Sequence, residues 1–254
     1  MKNLIIKTVA TATLLATAAQ ADFTRVEVGG GVWQQTPKGY ATRTDSDGAL
    51  KLDGTYTSDE NKATDNYVWA FVKHPIPIIP NLRLEYASIT DKGQTVGKVD
   101  GTVIPGNQKA PTTIDAKQFD IIPYYNILDN TFWTTIDLGI DAKIVKSDVN
   151  VGAVSGFNGY SSSDTTVVPL IYLRGRVEIP ATNIGLEANV KAITDGTNTV
   201  YDAGAKVDYT LDFIPVVQPA LEVGYRVEKI KVDDGSTQVD LKYAGMYAGL
   251  MLRF

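Results

Sequence analysis

The chain has 254 residues, with 24 Lys and Arg, 29 Asp and Glu, a single His and no Cys, for a formal net charge of -5. Without cysteine there is no disulfide framework and no lipid attachment through a thiol, and one histidine leaves no zinc set. The acidic balance disfavours a general role in binding nucleic acid.

The first segment reads as an export signal. Lys2 and Lys7 supply a positive start, Leu4 to Ala18 is apolar and small, and Ala19-Gln20-Ala21 before Asp22 has the small-x-small pattern of a cleavage site. The expected organisation is therefore a signal peptide over residues 1–21 and one mature domain over 22–254. Within the mature part no apolar run nears the roughly 20 residues a helix needs to cross a bilayer, which excludes a helical membrane protein. The mean hydropathy of -0.07 still suits a membrane barrel, in which only alternate residues meet lipid.

From Phe23 onward, segments of alternating polarity are separated by connections that are short and long in turn. Ten strands are expected: Phe23 to Gln35, Tyr67 to His74, Asn81 to Asp91, Ile114 to Tyr125, Phe132 to Lys146, Thr165 to Ile179, Ile184 to Thr194, Val200 to Phe213, Ala220 to Val232 and Gln238 to Phe254. Short connections fall at Pro75 to Pro80, Asn126 to Thr131, Pro180 to Asn183 and Ile214 to Pro219. Long ones fall at Thr36 to Asn66, Lys92 to Thr113 and Ser147 to Asp164, with shorter turns at Asp195 to Thr199 and Asp233 to Thr237 on the same side. That asymmetry is the mark of outer-membrane barrels, with tight periplasmic turns and longer outer loops. The fold class expected is an all-β, transmembrane, antiparallel up-and-down barrel of about ten strands, with eight as the alternative.

Alternation sets the faces. Ile184, Leu186, Ala188, Val190 and Ala192 share one face and Glu187, Asn189 and Lys191 the other; Leu221 to Val227 and Ile136 to Ala142 repeat the pattern. The last strand alternates Met246, Ala248, Leu250, Leu252 and Phe254, and resembles the C-terminal signal that the barrel-insertion machinery reads. Tyr67 and Trp69 are expected near the outer membrane boundary, and Tyr124, Tyr125, Trp133, Phe213 and Phe254 near the inner one. The face of Trp33 is left open by the glycine run before it.

Two segments carry a family resemblance: Val28-Gly29-Gly30-Gly31-Val32-Trp33, and His74-Pro75-Ile76-Pro77-Ile78-Ile79-Pro80-Asn81-Leu82-Arg83-Leu84-Glu85-Tyr86. They resemble the family of bacterial outer-membrane proteins named for an N-terminal Gly-Gly pair. The resemblance implies a barrel ending in Phe; the family's activity is not established. Read on their own, the glycines suit a bend or a close approach of inner groups, and the prolines a stiff turn.

The inward charges expected to form a network are Glu85, Asp137, Asp141, Lys143, Arg174, Arg176, Glu178, Glu187, Lys191, Lys206, Asp208, Glu222, Arg226 and Glu228, with Arg25, Glu27, Arg83, Asp120 and Asp212 on the same faces. Mixed signs in a lumen this narrow imply mutual pairing, because a lone buried charge is costly. A narrow water path is the alternative. Asp45-Ser46-Asp47-Gly48 and Asp233-Asp234-Gly235 lack the closing Glu of a calcium loop and read as solvated turns. His74 falls at the periplasmic rim beside Pro75, which suits turn capping better than catalysis. The expectation is a non-enzymatic outer-membrane barrel with a structural or surface-interaction role and no cofactor or metal. A low-conductance pore is the alternative and a barrel-embedded hydrolase the second, with lipid and the insertion machinery as partners.

Overall fold

The computed structural model describes residues 24–43, 54–76, 78–211 and 217–254. The export signal, the Asp45-Ser46-Asp47-Gly48 motif, Asp212 and Phe213 lie outside the described residues. The strands are β1 (Arg25–Arg43), β2 (Thr55–Ser58), β3 (Ala63–Lys73), β4 (Asn81–Val96), β5 (Lys98–Val99), β6 (Thr102–Val103), β7 (Ala110–Thr131), β8 (Thr134–Val151), β9 (Tyr160–Glu178), β10 (Ile184–Thr194), β11 (Thr199–Thr210), β12 (Gln218–Asp233) and β13 (Thr237–Arg253). All except the β5–β6 hairpin belong to one antiparallel sheet, which closes where β1 pairs with β13.

The closed wall has ten strand positions, because β2 and β3 share one. β3 covers the lower half of β1 (Gly29 opposite Trp69) and β2 the upper end (Ala41 opposite Tyr56), and both pair with β4 on their other side. Following the ladders round the barrel from Val26, through Val72, Leu82, Ile171, Ala192, Tyr201, Lys229 and Lys242, returns to β1 at Lys38, twelve residues further on. Such a stagger goes with strands tilted by roughly 40° to the barrel axis.

Burial shows which way the barrel faces. Leu221, Ile171 and Leu250 are 51%, 63% and 62% exposed, whereas Lys143, Lys191 and Arg174 are 1%, 1% and 2% exposed. A soluble sandwich reverses this arrangement; a wall that presents apolar side chains outward on strand after strand is built to be solvated by lipid. Among the described residues no helix is long and apolar enough to cross a membrane.

Several elements run differently from the expectation. The long segments Thr36 to Asn66, Lys92 to Thr113 and Ser147 to Asp164 are in large part wall rather than loop: β1 continues to Arg43, β4 to Val96 and β8 to Val151. Their alternation fades in the sequence because, above the bilayer, the outer face no longer has to be apolar. On the opposite side, Asn126 to Thr131 is not a turn. β7 runs through it with two register shifts, and the turn is Phe132-Trp133, both in the left-handed region at φ of 51° and 60°. Tyr67, Trp69 and Tyr124 are not girdle residues: they point inward and are 8%, 5% and 0% exposed. Trp33 points inward too. The exposed aromatics at the lower rim are Tyr125, Phe132, Trp133 and Tyr209.

The glycine run on β1 has a packing role. A Cβ on inward-facing Gly29 would lie 2.5 Å from the Trp69 indole, and one on Gly224 2.4 Å from the Tyr247 ring, so each glycine is the floor under an aromatic. Gly29→Ala is expected to overpack the lumen and lower stability by about 1–3 kcal/mol. The urea midpoint of the refolded protein in vesicles measures this, with a smaller drop for Gly30→Ala, whose Cβ would face outward.

Candidate functional site: the lumen

The lumen is filled in three tiers. In the lowest, Arg25 and Arg253 grip Glu27 at 2.7 and 2.6 Å, and Arg176 holds Asp208 through two bonds of 2.7 and 3.0 Å. Glu178 stands at the rim, 3.1 Å from Arg25. Just above, Arg174 bridges Asp137 and Glu187 at 2.6 and 2.8 Å, Arg83 meets Glu85 at 2.5 Å, and Lys206 meets Glu222 at 2.8 Å. Glu222 also accepts from the Tyr67 hydroxyl and the Trp69 indole N–H. Aromatic faces take up the cations' open sides: Arg174 lies 4.9 Å from the Phe71 ring, Lys206 4.3 Å from Trp69 and Arg226 4.9 Å from Trp33.

The middle tier is a lattice of two lysines and one arginine. Lys191 contacts Glu85, Asp120 and Asp202; Lys143 reaches Asp120 and Asp202, both at 3.1 Å; Arg226 binds Asp202 at 2.6 Å. Gln118 donates to Glu228 at 2.6 Å across the barrel. Asp141 is buried on the same face with neither oxygen hydrogen-bonded to protein, its carboxyl lying near Lys191 and Lys143. Beside this lattice a cavity of about 50 Å³ opens between Trp33, Trp69, Glu85, Asn189, Arg226 and Tyr247. It has room for a few waters.

The top tier is richer in apolar side chains, with polar pairs set among them: Ser58 donates to Asp91 at 2.8 Å, and the Thr95 and Thr112 hydroxyls lie 2.7 Å apart. Tyr56, Ile114, Val149, Val151 and Leu241 point inward, and Val99 and Ile104, from the segment joining β4 to β7, are 1% and 2% exposed. Gln108 ties that segment to the β8–β9 connection by donating to Ser155 O at 3.0 Å. It forms a cap over the outer mouth, stabilised by burial of its own apolar side chains.

The fourteen network residues expected from the sequence therefore all face inward, with Glu178 alone at a rim. Among the described residues three buried charges lie outside the expected set, Asp65, Asp91 and Asp202, together with the half-buried Arg253. Asp202 shares a face with Lys206 and Asp208 and was legible by the same alternation. Asp91 ends the expected strand Asn81 to Asp91 and shares its inward face with Arg83 and Glu85, so it too was legible, whereas Asp65 falls in the expected loop Thr36 to Asn66. His74 is part of its turn: its backbone N–H donates to Asn81, its Nδ1 accepts from Ile76 N–H and its Nε2 donates to Pro80 O. Asp234 accepts from Ser236 and Thr237 N–H groups, an ordinary side-chain-capped hairpin turn. Among the described residues no group of three or more His, Cys, Asp or Glu could hold a metal ion.

No protein-family model matches the chain, and no curated protein matches it in sequence. Among solved structures it is similar to the translocator domain of the autotransporter NalP from Neisseria meningitidis, with 13% identity, 98% of each chain covered and a TM-score of 0.47. It is also similar to the outer membrane protease OmpT from Escherichia coli, with 10% identity, 92% of this chain and 97% of that one covered, and a TM-score of 0.48. The outer membrane protein OprG from Pseudomonas aeruginosa shares 11% identity over 91% of this chain and 96% of that one, with a TM-score of 0.39. Likenesses at these scores carry no activity to this chain.

Removing one partner of a buried ion pair costs more than the pair contributes, because the other charge stays buried. Arg174→Ala leaves Asp137 without its cation, held by the Asn126 amide alone, and loosens Glu187; it is expected to cost about 3–5 kcal/mol. Adding Asp137→Asn should recover part of that loss in the same urea titration, which a pair that did not interact would not show.

Proposed function

We propose that the chain is an integral protein of the bacterial outer membrane whose barrel is a closed scaffold, non-catalytic and non-conducting, which acts through the wall it raises beyond the bilayer. The observation that carries this reading is the filled lumen. Two tiers of bridged charges and an apolar cap lie in series, and an ion crossing them would have to break pairs that are themselves desolvated. The outward apolar wall and the lower rim of Tyr125, Phe132, Trp133 and Tyr209 support membrane insertion. The engagement of both ring nitrogens of His74 in its own turn supports the non-catalytic reading. The likeness of the β1 and β3–β4 segments to the Gly-Gly-named family bears on fold and place alone.

Refolded protein in a planar bilayer is expected to stay silent while its insertion is confirmed by protease protection. Replacing residues 98–107 with a short Gly-Ser link should leave it silent, because the charged tiers still close the path. Discrete conductance steps in the unaltered protein would sink the closed-scaffold reading in favour of a pore.

A further inference from the structure

The wall is not equally tall all round. β9 has 19 residues, but its neighbour β10 has 11 and β11 has 12. The β9–β10 ladder ends where Ile171 faces Ala192, while the β8–β9 ladder continues up to Val151 opposite Tyr160. The upper part of β9, Tyr160 to Leu170, therefore has a strand on one side only.

Strand residues aim their N–H and C=O groups at alternate neighbours, and two bonds fix the parity here. Glu178 N–H donates to Trp133 O on the β8 side, and Ile179 N–H to Ile184 O on the β10 side. The odd-numbered residues Ser161, Ser163, Thr165 and Val167 thus direct their backbone groups at the open side. Pro169, which has no N–H, falls in the same series. All five are exposed, and among the described residues β9 has no ladder partner on this side above Ile171. Of the usual guards the open stretch has Pro169 near its lower end and the inward-facing Asp164, but it carries no Lys, and its register against β8 runs without a bulge.

We infer that this edge of β9 accepts an extended strand from another protein, laid antiparallel to β9 beside the low β10–β11 hairpin. A second copy does not fit. Two barrels inserted with the same orientation and related by a two-fold along the membrane normal have β9 strands that both descend toward the bilayer, so these cannot pair antiparallel. Asp164, on the lumen side of the edge, is the charged residue within the open stretch, and Thr166 already donates to it at 3.2 Å. The strand that fits is therefore uncharged apart from a Lys opposite Asp164, with β-branched residues beside it. Such strand addition draws affinity from main-chain bonds and selectivity from the alternate side chains.

The inference rests on the proposed membrane orientation but not on the silent lumen, so the two can fail separately. The test is amide exchange of the full barrel in micelles with a ten-residue peptide of alternating Thr and Val carrying one central Lys. Slowing on the order of tenfold, confined to the Ser161, Ser163, Thr165 and Val167 amides and lost in Thr165→Pro, is expected. That proline removes an N–H the fold does not use, as Pro169 does. If the variant fails to fold, the odd-numbered pattern in the unaltered protein decides alone. No slowing at about 1 mM peptide, slowing on Ser162, Asp164 and Thr166, or a peptide-independent dimer that buries the edge would each overturn the proposal.

Discussion

The pairing of lumen cations with carboxylates on distant strands is the constraint on which the rest of the barrel depends. Arg83 on β4 meets Glu187 on β10, Lys143 on β8 meets Asp202 on β11, and Gln118 on β7 meets Glu228 on β12. These contacts cross the lumen instead of following the ladder, so they set the distance between opposite walls as the ladders set it between neighbours. Buried charges are costly unless paired, and many of the partners lie far apart in sequence. The network therefore assembles only once the sheet has closed.

The interior changes character with height. In the membrane-spanning half, charges are inside and leucines outside. In the upper half, Tyr56, Ile114, Val149 and Val151 are inside, and Ser, Thr, Lys and Asp line the outer face of β8 and β9. One continuous wall is thus solvated by lipid below and by water above, and the upper interior is correspondingly richer in apolar side chains, although it still holds Asp91, Thr95 and Thr112. The cap belongs to the upper half: it is held by apolar burial, as a loop over a soluble core would be.

Much of the lower half was legible in the sequence because lipid imposes a strict rule on alternate residues. β10, β12 and β13 show it almost without exception, and the face that carries Glu187 and Lys191 followed from counting by two. Above the bilayer the rule lapses, so strand residues such as Tyr40 and Thr57 read as loop. The inward turn of Tyr67, Trp69 and Tyr124 was hidden for a different reason. Aromatics suit both a headgroup layer and a glycine-floored lumen, and only the ladder register, which places Trp69 beside Gly29, separates the two. The partner choice within the network was not legible either, since alternation gives a face but not a height.

The break between β2 and β3 reaches beyond packing. Between the Tyr40–Thr57 and Gln35–Ala63 pairs, β1 has four intervening residues and its partner five; between Ser58–Gly93 and Tyr67–Ala87, β4 has five and its partner eight. The surplus is absorbed at Asp59–Lys62, so the part above the joint is uncoupled in length from the part anchored below. A lineage carrying this joint can lengthen, shorten or exchange the exposed crown at that strand without re-registering the membrane anchor. Surface variation and membrane stability are thereby placed under separate selection.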